Sequence, residues 1–351
     1  MKYLKGLDTL RALAALIVVF DHVELIKQSN KIYNLVDHST VIYPDGHLSV
    51  ILFFIISGFL ITYLLLIEKA KNGFINIRNF YMRRILRIWP VYYLVLFLSY
   101  FIFQPDYSVL RISLPLFILP NVAYAVNEVW DVSPQIWSIG AEEQFYIFWP
   151  FLFLIVIKKK TVLSFIFLII GFTMLPFFAK FLNQIFFQSA DFYTVISRFF
   201  YGSKFDSLML GALAGFLYFK NKDKLEKPRY NGLKLIIAAL PFIMWFFKFR
   251  VAHLNDELYS LLFAYSVYQI IKNPNIQIDH PISKFLGRIS YGIYLYHWII
   301  ILLMIKLIPK TQNINYYNLS LYSAVLFLTI FFSWLSYVTY ERFFLNIKKK
   351  Y

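Results

Sequence analysis

Asp8, Arg11 and His22 stand in one apolar run that is long enough, as a helix, to cross a bilayer. Eleven residues separate Arg11 from His22, which is about 16 Å along a helix axis and close to three whole turns. The two side chains therefore share a face. Ionisable groups are costly in hydrocarbon, so a run that keeps a guanidinium and an imidazole aligned either satisfies them between helices or uses them. An imidazole titrating near neutral pH is suited to taking a proton from a hydroxyl group.

Four further stretches place reactive residue types together. The segment GFINIRNFYMRRILRIWP (73–90) carries Arg78, Arg83, Arg84 and Arg87. Arg83 with Arg87, and Arg84 with Arg87, are one helical turn apart, so like charges crowd one face and repel. Such a cluster suits a polyanion, either lipid headgroups or a phosphate-bearing substrate gripped by bidentate bonds; anchoring by positive charge is the alternative. PQIWSIGAEEQFYIFWP (134–150) sets Glu142 and Glu143 at the outer end of a span. At least one of them should face the bundle or a water-filled cavity, as a base, an orienter of His22 or an acceptor-binding carboxylate. GRISYGIYLYHWIIIL (287–302) holds His297 in mid-membrane beside Tyr291, Tyr294 and Tyr296, either satisfied by a tyrosine hydroxyl or catalytic. SKFDSLMLGALAG (203–215) places Asp206 in a span, with Gly211 and Gly215 as a close-packing GxxxG pair.

The elements that position these residues follow from composition. The 351 residues are 60% hydrophobic and 15% charged, with a mean hydropathy of +0.60; a soluble domain carries about a quarter charged residues. The chain is thus an all-α, polytopic membrane bundle. Apolar stretches near 7–26, 47–67, 89–103, 139–157, 161–180, 200–219, 232–248, 257–272, 289–308 and 318–340 give about ten transmembrane helices. With the N-terminus inside, 24 of the 35 Lys and Arg residues fall in cytoplasmic segments and 9 in outer ones, while Arg11 and Lys204 lie within spans. This asymmetry places both termini in the cytoplasm. It also accounts for the net charge of +16 without nucleic acid as a partner. The stretch 109–126 is broken by Pro115 and Pro120 and reads as an outer-facing or re-entrant segment, because a further span would move Lys158, Lys159 and Lys160 outside. No cleavable signal peptide is evident. The absence of cysteine excludes disulfides and thiolate chemistry. No linker separates a soluble accessory domain, so residues 1–351 form one membrane unit.

Together these residues describe a polar chamber, with arginines at the cytoplasmic end, His22 in the middle or outer half, and carboxylates at the outer mouth. That layout fits transfer of a group from a phosphate-bearing carrier inside to an acceptor outside. The chain resembles the acyltransferase-3 family of bacterial membrane O-acyltransferases. The resemblance rests on seven motifs in the family's order: GLDTLRALAALIVVFDH (6–22), VILFFIISGFLI (50–61), FYMRRILRIWP (80–90), WSIGAEEQFY (137–146), FDSLMLGALAG (205–215), GRISYGIYLYHW (287–298) and YERFF (340–344). Ser49, Ile139 and the lack of a proline after Arg342 depart from the common pattern.

The resemblance implies a multi-pass protein of the bacterial cytoplasmic membrane, in its stand-alone form. It further implies transfer of an acyl group, usually acetyl, from acyl-CoA to a hydroxyl of an extracytoplasmic glycan such as O-antigen, lipopolysaccharide core or capsule, without a metal. The family's arginine–histidine pattern falls on Arg11 and His22, its paired arginines on Arg84 and Arg87, and its acidic motif on Glu142. On this reading Arg83, Arg84 and Arg87 hold the CoA phosphates. His22 is the general base or an acylated nucleophile, and Arg11 guides the thioester arm or pairs with Asp8. Glu143, Asp206, Tyr291 and His297 are second-rank candidates, for acceptor binding or support. A polysaccharide or lipid transporter is the alternative, since it too needs mid-membrane polar groups.

Overall fold

Helix α1 (Leu7–Ser29) is enclosed on three sides. In the computed structural model, which describes residues 3–36, 44–159, 162–187, 190–221, 231–251, 254–273, 276–311 and 313–351, its Val18 joins one apolar core. Ala14 and Ile17 join a second core, and Ala15, Val19 and Val23 a third. The alanines are small enough to let neighbouring helices approach closely, and the enclosure explains how a helix rich in ionisable groups persists in an apolar chain. Most of it faces protein, which spares its polar residues much of the cost of hydrocarbon.

The remaining elements are α2 (Gly46–Asn72), α3 (Ile77–Phe103), the short α4 (Val109–Leu116) and α5 (Pro120–Ala125), then α6 (Trp137–Lys159), α7 (Val162–Leu182), α8 (Ala190–Ser203) and α9 (Phe205–Asn221). They are followed by α10 (Asn231–Phe246), α11 (Asn255–Lys272), α12 (Pro281–Arg288), α13 (Ser290–Leu307), α14 (Ile314–Ser336) and the terminal α15 (Arg342–Lys348). No strand occurs among the described residues. Asp45 caps α2 by accepting the His47 amide (2.8 Å), and Gly73, at φ 80°, ends it in the left-handed conformation that glycine adopts without strain.

Among the described residues, six helical segments are long and apolar enough to cross a membrane: 46–72, 77–103, 134–156, 162–186, 290–307 and 314–348. Helices also lie on the other expected spans, but α1, α9 and α11 are more polar or shorter, and α10 is a short apolar helix. Of the expected cytoplasmic charges, Lys2, Lys160 and those within 222–230 lie outside the described residues. The stretch 109–126 forms only α4 and α5, each far shorter than the ~20 residues that a crossing helix needs. The last carbonyl groups of α4 are satisfied from α3, where the Tyr92 and Tyr93 hydroxyls donate to Pro115 O and Leu116 O, both at 2.8 Å. Asn121 of α5 exchanges amide bonds with Gln144 of α6 (2.9 and 2.8 Å). Helix α7 is the opposite of α1, with Phe167, Phe177 and Phe181 all exposed, as expected of a lipid-facing surface.

The tightest contact joins α2 to α9. A Cβ placed on Gly58 would collide with Leu208 O, one on Gly211 with Ile55 O, and one on Gly215 with Phe59 O. The GxxxG pair is therefore a packing device: it brings two backbones together where side chains would hold them apart. A leucine forced into such a contact costs about 3 kcal/mol or more. Gly211→Leu should lower the melting temperature of the detergent-solubilised protein markedly, whereas Gly171→Leu, where a Cβ meets nothing within 4 Å, should leave it unchanged.

Candidate active site

His22 Nδ1 lies 2.7 Å from Nε2 of His297, and the two rings meet edge to edge, nearly coplanar, with centroids 5.0 Å apart and planes 12° from parallel. Trp298 meets His22 edge-on at 4.9 Å. The other nitrogen of His297, Nδ1, is 3.2 Å from Ile293 O. A carbonyl oxygen only accepts, so His297 Nδ1 carries the proton and its Nε2 is a lone pair. His22 Nδ1 must then donate to it. One backbone oxygen thereby fixes both tautomers and leaves Nε2 of His22 as the proton acceptor of the pair. His297, fully buried, is satisfied by His22 and a backbone carbonyl rather than by a tyrosine hydroxyl.

His22 lines a cavity of about 410 Å³ together with Asp21, His47, Trp137 and Tyr201. Its place on α1 is held from the next turn, where Lys27 and Glu24 form a buried ion pair of 2.7 Å. Glu24 also accepts from the Tyr322 hydroxyl and from the Leu35 amide (2.5 Å), which ties the end of α1 to α14 and to the segment that follows α1.

A second cavity, of about 140 Å³, is lined by Arg11, Arg84, Arg87, Ser57, Glu142 and Tyr146 among others. Arg84 lies over the Phe80 and Tyr146 rings at 5.8 and 5.6 Å, and its buried Nε has no hydrogen-bond partner. Arg87 pairs with Glu341 (3.3 Å) and lies over Tyr291 at 5.9 Å, while the Tyr291 hydroxyl donates to Ile88 O (2.8 Å). Glu142 accepts from Ser57 Oγ (2.6 Å) and from the Tyr146 hydroxyl (3.4 Å). Three guanidiniums facing one carboxylate in a small space make a site for an anion. Val50 and Tyr294 line both cavities and form the wall between them. Tyr294 is fixed there by Ser138 Oγ (2.7 Å) and by donation to Gln135 O (2.9 Å).

The structure thus joins Arg11, Arg84, Arg87, Glu142 and Tyr291 around one cavity, with His22, backed by His297, on the next. The expected placing of carboxylates at the outer mouth is corrected. Trp137 of α6 lines the His22 cavity, but a turn and a half later Glu142 faces the arginines, and the helical advance between the two residues separates them. Glu143, on another face of α6, accepts from Trp89 Nε1 (2.7 Å) and lines neither cavity. Arg83 is tied to Glu68 (2.5 Å) and to the Tyr351 backbone oxygen (2.7 Å), outside the arginine cavity. Asp8 accepts from the Tyr3 hydroxyl (3.0 Å) rather than forming an ion pair with Arg11. Asp206 accepts the Ser207 amide (2.9 Å) and lines a cleft among α7, α8 and α9 that contains neither His22 nor the arginines. Sequence reasoning passed over Ser57 and Tyr146, although a lone serine within FFIISGFL was a visible signal. It also passed over the wall formed by Val50 and Tyr294, for which one strand of sequence carries no signal.

The order of these residues along the chain is matched by a family model described as an acyltransferase domain, which covers residues 4–338. The chain belongs to the acyltransferase-3 family. Among its acyltransferase-3 relatives, a Staphylococcus aureus protein named "Putative O-acetyltransferase SACOL0978" is 29% identical over 371 residues, covering 96% of this chain and 56% of that protein. The peptidoglycan O-acetyltransferase OatA of Listeria monocytogenes is 29% identical over 348 residues, covering 89% and 51%. An uncharacterized protein of Haemophilus influenzae is 32% identical over 211 residues, covering 54% and 84%. The chain spans about half the length of the first two. No solved structure matches it.

The tautomer assignment is directly testable. Nitrogen-15 spectra of the histidine-labelled protein should show His22 protonated at Nδ1, and His297→Phe, which removes the acceptor, should shift His22 toward a mixture of tautomers.

Proposed function

We propose that this chain is a membrane O-acyltransferase that moves an acyl group, acetyl first among candidates, from cytoplasmic acyl-CoA to a hydroxyl of an extracytoplasmic glycan. The observation that carries the reading is the pair of cavities sharing one wall, with three arginines on one side and a histidine with a free lone pair on the other. The excess of lysine and arginine in the expected cytoplasmic segments supports an arginine cavity that faces the cytoplasm, where acyl-CoA is made. The names of the Staphylococcus and Listeria relatives supply the acetyl group, and that of the Listeria relative a cell-wall glycan.

On this reading Arg84 and Arg87 take the anionic donor, and Arg11 lies deeper, where the thioester arm passes toward Tyr294. On this reading the acetyl thioester and the end of its arm enter the arginine cavity, and the nucleotide stays at its mouth. The acceptor hydroxyl approaches from the larger cavity. His22 Nε2 takes its proton as the oxygen attacks the acyl carbon. The carbon–sulfur bond breaks, a carbon–oxygen ester bond forms, and the proton returns from the imidazolium to the thiolate, releasing CoA-SH. His297 holds the His22 ring and stabilises the imidazolium by accepting its Nδ1 proton, as an orienting partner does for a general base. Glu142, held by Ser57 and Tyr146, keeps the guanidiniums apart and aimed inward.

A transporter, the alternative, would move its cargo without forming an ester, so ester content tells the two apart. The deciding measurement is the O-acetyl ester content of surface polysaccharide from cells lacking the protein, complemented with wild type or with His22→Ala. Wild type should restore the ester. His22→Ala at equal abundance should leave at most about a hundredth of it, in line with loss of a general base. Unchanged ester in the deletion strain would sink the reading. For the purified protein, Arg84→Ala should raise KM for acetyl-CoA about tenfold, the effect of losing one charge-assisted contact, while the same change at Arg83, which lies outside the cavity, should move KM far less.

A further inference from the structure

The cavity that contains His22 does not end there. Asp45, His47, Tyr201 and Arg250 line it and also line a neighbouring recess of about 470 Å³ that reaches Lys204 and Asp256. The two recesses form one groove leading away from His22. Its floor is a built aromatic platform. Tyr201 lies parallel to His47 with centroids 5.5 Å apart, and the Lys204 ammonium sits 4.5 Å from the same ring. His47 Nε2 and Lys204 Nζ both bond Oδ2 of Asp256, at 2.9 and 2.5 Å. Sharing one oxygen keeps them too close together to sandwich the ring from opposite faces, so one face of Tyr201 stays open, and the residue is 54% exposed.

The rim carries a second charge pair, Arg250 with Asp45 at 3.1 Å. An open aromatic face, ringed by carboxylates already neutralised by cations, has no net pull on a strongly charged ligand. It matches a pyranose ring, whose C–H face lies on the aromatic ring and whose hydroxyl groups exchange hydrogen bonds with Asp, Arg and Lys side chains.

We propose that this groove is an extended glycan subsite, in which Tyr201 carries a sugar unit next to the one that receives the acyl group. The proposal rests on the function given above and narrows its acceptor to an oligomeric or polymeric glycan rather than a single sugar. Tyr201 acts as a specificity-determining residue that holds the chain in register, so that one hydroxyl meets His22.

The test uses membranes of the native cells, permeabilised and supplied with acetyl-CoA labelled in the acetyl group, so that the natural acceptor is present. Two products are counted, label in polymer and label released as free acetate. Tyr201→Ala should lower the ratio of transferred to hydrolysed acetyl about tenfold, because the donor still reaches the site while the acceptor is poorly held. Tyr201→Phe, which keeps the stacking face, should restore the ratio to within about twofold of wild type. An unchanged ratio in Tyr201→Ala, whether or not both products fall together, would overturn the subsite, and so would Tyr201→Phe behaving like the alanine variant. If wild-type membranes label no polymer beyond those of the deletion strain, the acyltransferase reading itself fails and takes the subsite with it.

Discussion

Everything in this molecule depends on keeping one polar helix out of lipid. Helix α1 carries Asp8, Arg11, Asp21, His22, Glu24 and Lys27 within 20 residues, a density of ionisable groups that hydrocarbon does not tolerate. The bundle answers by surrounding α1 with three apolar cores and by pairing what remains: Lys27 with Glu24, and His22 with His297. The close approach of α2 and α9 through Gly58, Gly211 and Gly215 serves the same end, because it draws the encircling helices tight enough to seal the centre. Apolar residues that would otherwise coat α1 are displaced outward to helices such as α7, which presents phenylalanines to the surroundings.

That enclosure turns a liability into a site. Arg11 and His22 occupy one face of α1 three turns apart, and each opens into its own cavity. Tyr294 and Val50 divide the cavities at the level between them. The chemistry follows from orientation rather than from unusual groups: a backbone oxygen at Ile293 sets the His297 tautomer, which sets that of His22. On the reading proposed above, the fixed ring needs no rearrangement before it accepts a proton, and such preorganisation is where polar active sites gain most of their effect.

Much of this was legible in the sequence. The seven motifs, the helical face shared by Arg11 and His22, the packing role of Gly211 and Gly215 and the broken segment at Pro115 and Pro120 all rest on local spacing, which a one-dimensional reading resolves. What was not legible depends on which helices meet. Glu142 and Glu143 are adjacent, yet one joins the arginines and the other bonds Trp89, a difference of about 100° around α6 that only the neighbours decide. Arg83 and Arg84 divide in the same way, the first taken by Glu68 and the second left over aromatic rings. His297 showed itself as a polar residue in an apolar run, but its partner lies 275 positions away.

The wall at Val50 and Tyr294 has a meaning beyond catalysis. Two cavities that meet at one wall inside a helical bundle are most of a channel, and a continuous file of water between them would carry protons. A valine side chain cannot relay a proton, and the Tyr294 hydroxyl is already committed to Ser138 and Gln135. On the acyltransferase reading proposed above, the same two residues bring donor and acceptor within reach of each other and act as an insulator, letting an acyl group change sides of the membrane without short-circuiting the electrochemical gradient across it.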